Sequence, residues 1–126
     1  MKKIITIKNA PKPVGPYSQA IKKDKTLYAS GQIAIDPITN KLVTKSIKEE
    51  THQVMKNIGA ILNAADMSWN NLIKCSIFLS DMNNFELINE IYSSYFDQDF
   101  PARETVEVSC LPKNVNVEIS FIAIED

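Results

Sequence analysis

Two charged residues stand in strand-forming sequence, and their types could do chemistry together. Phe100-Pro101-Ala102-Arg103 opens a β-branched run that reaches Leu111-Pro112, and Val117-Glu118-Ile119 lies inside a second run that ends at Ile124. A guanidinium is a planar fork that matches a carboxylate with two parallel hydrogen bonds. Arg103 therefore reads as an anchor for a small organic acid, or as half of a surface ion pair with a nearby Asp or Glu. Glu118 sits in the middle of an apolar run. Loss of solvation there raises a carboxyl pKa and brings proton transfer within reach of neutral pH. The other reading is a structural carboxylate satisfied by backbone donors.

Other reaction types find fewer parts. His52 is the one histidine. It lies off the apolar stripe of its helix, with no partner in view, so a Ser/His/Asp set and a metal site are both disfavoured. Cys75 and Cys110 are far apart, lack metal-ligand spacing, and fall on the apolar parity of their strands. They read as two buried free thiols, which suits a reducing compartment. No phosphate-binding glycine loop is present. What remains is acid–base work on a small anion without a cofactor, or simple binding of one.

The elements that must position these residues follow from periodicity. Lys3 to Lys8 alternates enough for a first strand. A stiff loop follows, Asn9 to Pro16, with Pro11, Pro13 and Pro16 around Gly15. It ends by holding Tyr17 just after a rigid Gly-Pro, so the phenol either serves a site or is solvated. Ser18 to Lys23 and Thr26 to Ala34 read as the next two strands. Gly31, beside Ser30 in the third, marks a bulge or a close backbone approach, which could present backbone groups to a ligand. Ser46 with Glu49 three residues on resembles a capping box. Ile47, Val54, Met55, Ile58, Ile61, Leu62 and Ala65 then recur at helical spacing.

Asn71 to Ser80 alternates as a fourth strand. Asn83 with Glu86 starts a second helix, striped by Phe85, Ile88, Ile91, Tyr92, Tyr95 and Phe96. Asn89 sits at the edge of that stripe, where an amide bonds backbone or looks into a pocket. Arg103, Thr105, Glu107 and Ser109 share one side of the fifth strand. The Pro/Asn connector predicts a tight link from it to the sixth, whose apolar character on both faces makes it central. The order β-β-β-α-β-α-β-β requires crossovers, so the sheet is mixed. Two helices cover only one of its faces, and the apolar residues on the other call for a homo-oligomer.

The whole chain bounds these readings. It has 126 residues, enough for a single domain over 1–126, with 44% hydrophobic and 23% charged residues. A net charge of −1 without any basic run argues against nucleic acid as a partner. The basic start at Met1-Lys2-Lys3 precedes too short an apolar run for a signal peptide. No stretch approaches the ~20 apolar residues of a membrane span. The expected location is cytoplasmic.

Taken in order, Gly15-Pro16-Tyr17-Ser18-Gln19-Ala20, Ser30-Gly31-Gln32-Ile33, Asn89-Glu90-Ile91-Tyr92, Phe100-Pro101-Ala102-Arg103, Leu111-Pro112-Lys113 and Val117-Glu118-Ile119 resemble the YjgF/RidA family of reactive-intermediate deaminases. The likeness covers nearly the whole chain, and its last three pieces are the specific part. It implies an α+β fold, a mixed six-stranded sheet with two helices packed on one face, chorismate-mutase-like and trimeric, with clefts at the subunit interfaces. It also implies that the last strand is inserted between earlier ones. The implied activity is hydrolysis of 2-aminoacrylate and 2-aminocrotonate, released by pyridoxal-phosphate-dependent dehydratases, to 2-oxo acids and ammonia without a cofactor. By resemblance, Arg103 binds the substrate carboxylate and Glu118 activates water. Tyr17, Ser30, Gly31, Asn89 and Thr105 line the cleft. Thr105 stands where some members have Cys, Glu104 where a small residue is usual, and Ser120 where many have a second glutamate. The alternatives are a non-catalytic binder of small acids and an endoribonuclease or translation inhibitor.

Overall fold

Helix α1 spans Ile47–Ala64 and begins where Ser46, in extended backbone, accepts the Glu49 N–H through its hydroxyl at 3.1 Å. Val54, Met55, Ile58, Ile61 and Leu62 form its buried stripe. It ends at Asp66, whose φ of 58° turns the chain left-handed, while the Met67 N–H reaches back to the Leu62 carbonyl at 2.8 Å. A short 3₁₀ turn at Met82–Asn84 leads into α2, Phe85–Ser93, which starts one residue later than a helix capped by Asn83 would.

The strands are β1 (Lys3–Ile5), β2 (Ala20–Lys23), β3 (Thr26–Gln32), β4 (Leu72–Leu79), β5 (Ala102–Glu107) and β6 (Val117–Ile124). The computed structural model describes residues 1–7, 13 and 15–126. The predicted proline loop therefore lies largely outside the described residues, as does Lys8 at the end of the predicted first strand. The six strands form one sheet in the order β1-β2-β3-β6-β4-β5. The β4–β5 pair is parallel, and every other neighbouring pair is antiparallel. The element order and the mixed sheet match the sequence reading, and β6 is central as expected.

The tight β5–β6 link is not what forms. β4 lies between the two strands, and residues 108–116 carry the chain across its end. Pro112–Asn114 makes a 3₁₀ turn in that passage, with Lys113 at φ 55° and Asn114 at φ 56°. Turn-forming residues between two strand signals show that the chain reverses, not which strand becomes the hydrogen-bonded neighbour.

Leu27, Cys75, Ile77, Leu79, Val117, Ile119, Phe121 and Ala123 form the covered face, under α1 and α2. On the other face stand Tyr28, Val106 and Ile124, 52%, 40% and 39% exposed, with Ile122 and Phe78 half-buried. Glu104 lies on this open face, beside Lys74 at 2.8 Å and bonded by the Ser76 hydroxyl. Cys75 is buried as expected. Cys110 is exposed, because β5 ends at Glu107 and the strand alternation does not reach it. Among the described residues, no helix is long and apolar enough to cross a membrane.

Candidate active site

Glu118 is held by the irregularity in β3. Ala29 pairs with Phe121 and Gln32 with Ile119, so Ser30 and Gly31 together stand opposite Ser120. This is a β-bulge, and it brings the backbone of Gly31 against the Glu118 side chain. A Cβ on Gly31 would lie 2.6 Å from the Glu118 carboxyl carbon and from one of its oxygens. The glycine is needed for space. Both readings of Gly31 are therefore realised at once, the bulge and the close approach. Glu118 itself is half-buried, and desolvation raises its carboxyl pKa, the direction its place in an apolar strand predicts.

A cavity of about 630 Å³ opens beside this carboxyl, lined by Tyr17, Ser30, Gly31, Asn57, Lys113 and Glu118 among others. Tyr17 is 56% exposed. Ser30 is fixed by its hydroxyl, which donates to the Ser18 carbonyl at 2.7 Å, and by its N–H, which donates to the Gln19 carbonyl at 2.9 Å. Asn57 reaches from α1 and donates to the Ile33 and Ile35 carbonyls at 3.1 and 2.9 Å, and all three residues line the cavity.

Arg103, Asn89 and Thr105 form a second cluster elsewhere. Arg103 pairs with Cys75 across the β4–β5 ladder, on the covered face. Its Nη1 donates to the Asn89 Oδ1 at 2.7 Å, and its guanidinium carbon lies 5.7 Å from the Phe85 ring centroid and 5.0 Å from that of Tyr92. The amide at the edge of the α2 stripe thus bonds a side chain, not backbone. The ion pairs among the described residues are Lys22–Glu125 and Lys74–Glu104, so Arg103 has no carboxylate partner there. Among the described residues, the Thr105 hydroxyl is buried without a hydrogen-bond partner. The same holds for Tyr92. Its hydroxyl lies near the Cys75 thiol without closing a hydrogen bond, and burial holds its pKa far above the ordinary phenol range.

The seven residues singled out in the sequence thus divide into two groups. Tyr17, Ser30, Gly31 and Glu118 share a cavity, and Asn89, Arg103 and Thr105 gather under α2. The structure also corrects His52. Its Nδ1 lies 2.7 Å from the Tyr95 hydroxyl, so it has a partner in the turn that follows α2. Asn57 and Lys113 were not foreseen, because one reads as a polar helix residue and the other as part of a turn. Among the described residues, no three His, Cys, Asp or Glu side chains gather as a metal site would require.

The sequence model of the family described as Endoribonuclease L-PSP matches residues 7–125. The chain belongs to this family, known also as YjgF/RidA. A RutC family protein of Pyrococcus horikoshii is 52% identical over 126 residues, covering 100% of both chains. The 2-iminobutanoate/2-iminopropanoate deaminase of Mus musculus is 44% identical, covering 99% of this chain and 93% of the mouse protein. Escherichia coli TdcF, solved with bound serine, superposes with a TM-score of 0.93 at 35% identity, covering 98% of this chain and 99% of TdcF. The fold described above is that of these YjgF/RidA proteins.

Proposed function

We propose that the protein hydrolyses reactive 2-imino acids, the tautomers of 2-aminoacrylate and 2-aminocrotonate, to 2-oxo acids and ammonia. It would do so in the cytoplasm, in clefts between the subunits of a homotrimer. The observation that carries this reading is Arg103, a half-buried guanidinium oriented by Asn89 and with no carboxylate paired to it among the described residues. Such a group is suited to a ligand carboxylate. The deaminase name borne by the mouse relative supplies the reaction class.

Arg103 holds the substrate carboxylate, with Asn89 and Thr105 beside it. Glu118, its pKa raised by desolvation, takes a proton from water as the oxygen bonds C2 of the imine. Glu118 passes that proton to the nitrogen as the C=N electron pair moves there, and a neutral carbinolamine results. Glu118 then takes the carbinolamine hydroxyl proton and delivers it to the amine, the C–N bond breaks, ammonia leaves, and the oxygen becomes the carbonyl of the oxo acid. Tyr17, Ser30 and Gly31 shape the water side of the cleft. Fixed positioning supplies much of the acceleration.

Two other readings have a specific basis. Serine bound to TdcF favours a binder of small amino or oxo acids, and the family's description favours an endoribonuclease. One experiment separates the three. A pyridoxal-phosphate-dependent dehydratase generates 2-aminocrotonate, and oxo-acid release is followed with the wild type, Arg103→Ala and Glu118→Gln. The wild type accelerates release, and each variant loses about 100-fold or more. No acceleration by the wild type sinks the deaminase reading. RNA cleavage that survives both substitutions would establish the nuclease instead.

A further inference from the structure

A long arginine side chain without an acidic partner needs something else to fix its direction. Phe85, Asn89 and Tyr92 stand at i, i+4 and i+7 of α2, one stripe of the helix, and all three meet Arg103. The two rings offer their faces, to which a cation is drawn by the ring quadrupole. Tyr92 is 3% exposed, and its ring packs on Phe96 at 5.1 Å, which packs on Trp69 at 5.7 Å. The ring is therefore itself immobile. Among the described residues its hydroxyl has no hydrogen-bond partner, so the ring face is what the position supplies.

This support differs from an ion pair in one chemical respect. A carboxylate would occupy the in-plane N–H fork that a substrate needs. A ring face occupies none of it. One N–H goes to Asn89, and among the described residues no other side chain or carbonyl takes the rest of the fork. We infer that Phe85 and Tyr92 are positioning residues that set the direction of the Arg103 guanidinium for an anionic substrate. The substrate's identity rests on the deaminase reading, whereas the positioning does not.

Arg103 is the sole arginine of the chain, so its side chain gives a single Nε–Hε correlation in a ¹H–¹⁵N spectrum. Ring currents from Tyr92 and Phe85 displace that signal from its free-chain position in the wild type. Tyr92→Leu and Phe85→Leu each move it back, and each raises KM for 2-iminobutanoate about tenfold with kcat within about threefold. Tyr92→Phe rescues both readouts, bringing KM to within about twofold of the wild type. Should Tyr92→Leu fail to fold, Phe85→Leu at its half-buried position decides. An undisplaced wild-type signal, unchanged displacement and KM in the Leu variants, or a Tyr92→Phe variant as impaired as Tyr92→Leu would overturn the inference. If the wild type proves inactive on imines, the deaminase reading falls. The Nε–Hε displacement, with 2-oxobutyrate binding by calorimetry, then still decides the positioning role.

Discussion

Arg103 and Glu118 stand on opposite faces of one sheet. Arg103 is registered with Cys75, and Cys75 with Phe121, on the face that the helices cover. Glu118 is three residues from Phe121 on the same strand, an odd step, and so points from the other face. One strand, β4, separates theirs, which adds about 10 Å laterally. A four-carbon acid cannot touch both groups of one chain. If the two act on one substrate, they come from different copies, and the apolar open face gives the copies a surface on which to meet.

Subunit complementation tests this directly. Arg103→Ala and Glu118→Gln are each inactive as homo-oligomers. Unfolded together in equal amounts and refolded, they assemble sites that draw arginine from one variant and glutamate from the other. Random mixing makes about a quarter of the sites intact, so about a quarter of wild-type activity returns. Sites built within single chains would regain nothing.

Gly31 gives a second expectation. Adding a methyl there meets the Glu118 carboxyl at 2.6 Å, which is the mobile end of a flexible side chain. The carboxyl moves and the fold remains. Gly31→Ala therefore lowers kcat by about 100-fold while the Tm changes by no more than about 3 °C. A large fall in Tm with little loss of turnover would instead make Gly31 a purely structural requirement.

Much of this architecture is legible in the sequence, since it depends on local periodicity. The Ser46 cap, the α1 stripe from Val54 to Leu62 and the alternation of β4 from Cys75 to Leu79 are near-neighbour signals, and they form as read, whereas an irregularity in the pairing with β6 between Leu72 and Lys74 buries Leu72 and exposes Ile73, against the alternation. Strand adjacency is not local. Nothing between Glu107 and Val117 encodes that β4 will take the place beside β6. Burial of a single charged residue is equally nonlocal. Glu118 reads as the buried carboxylate and is half-exposed, whereas Glu50, within the run Lys48-Glu49-Glu50, is fully buried because β6 arrives beside it. The Phe85, Asn89 and Tyr92 stripe was visible as helical spacing, but its target lies on another strand.

Glu50 carries a stability prediction. Its carboxylate accepts the Asn116 N–H and the Asn116 Nδ2 at 2.7 Å each, and the Val117 N–H at 3.2 Å. These bonds tie the first turn of α1 to the start of β6. Glu50→Ala leaves buried donors unsatisfied and lowers stability by about 3 kcal/mol, read by urea unfolding at matched protein concentration. The KM of the folded fraction stays within about twofold, since Glu50 lines neither cluster. A loss below about 0.5 kcal/mol would show that water replaces the carboxylate there.

The raised pKa of Glu118 fixes the sign of two pH effects. Desolvation disfavours the charged carboxyl in the folded state, so folding holds the proton more tightly than the unfolded chain does. The folded state then binds more protons between the two pKa values, and stability falls as pH rises through that window. The penalty is absent below the ordinary glutamate range and complete above the raised pKa. Glu118→Gln does not titrate and escapes it. Its Tm advantage over the wild type is therefore larger at about pH 7 than at about pH 4. Activity moves the other way, because only the carboxylate can accept a proton from water. The acid limb of kcat/KM accordingly lies above the ordinary glutamate pKa, and Glu118→Gln has no such limb on its residual rate. A Tm difference independent of pH, together with an acid limb in the ordinary glutamate range, would mean that solvent reaches this carboxyl freely.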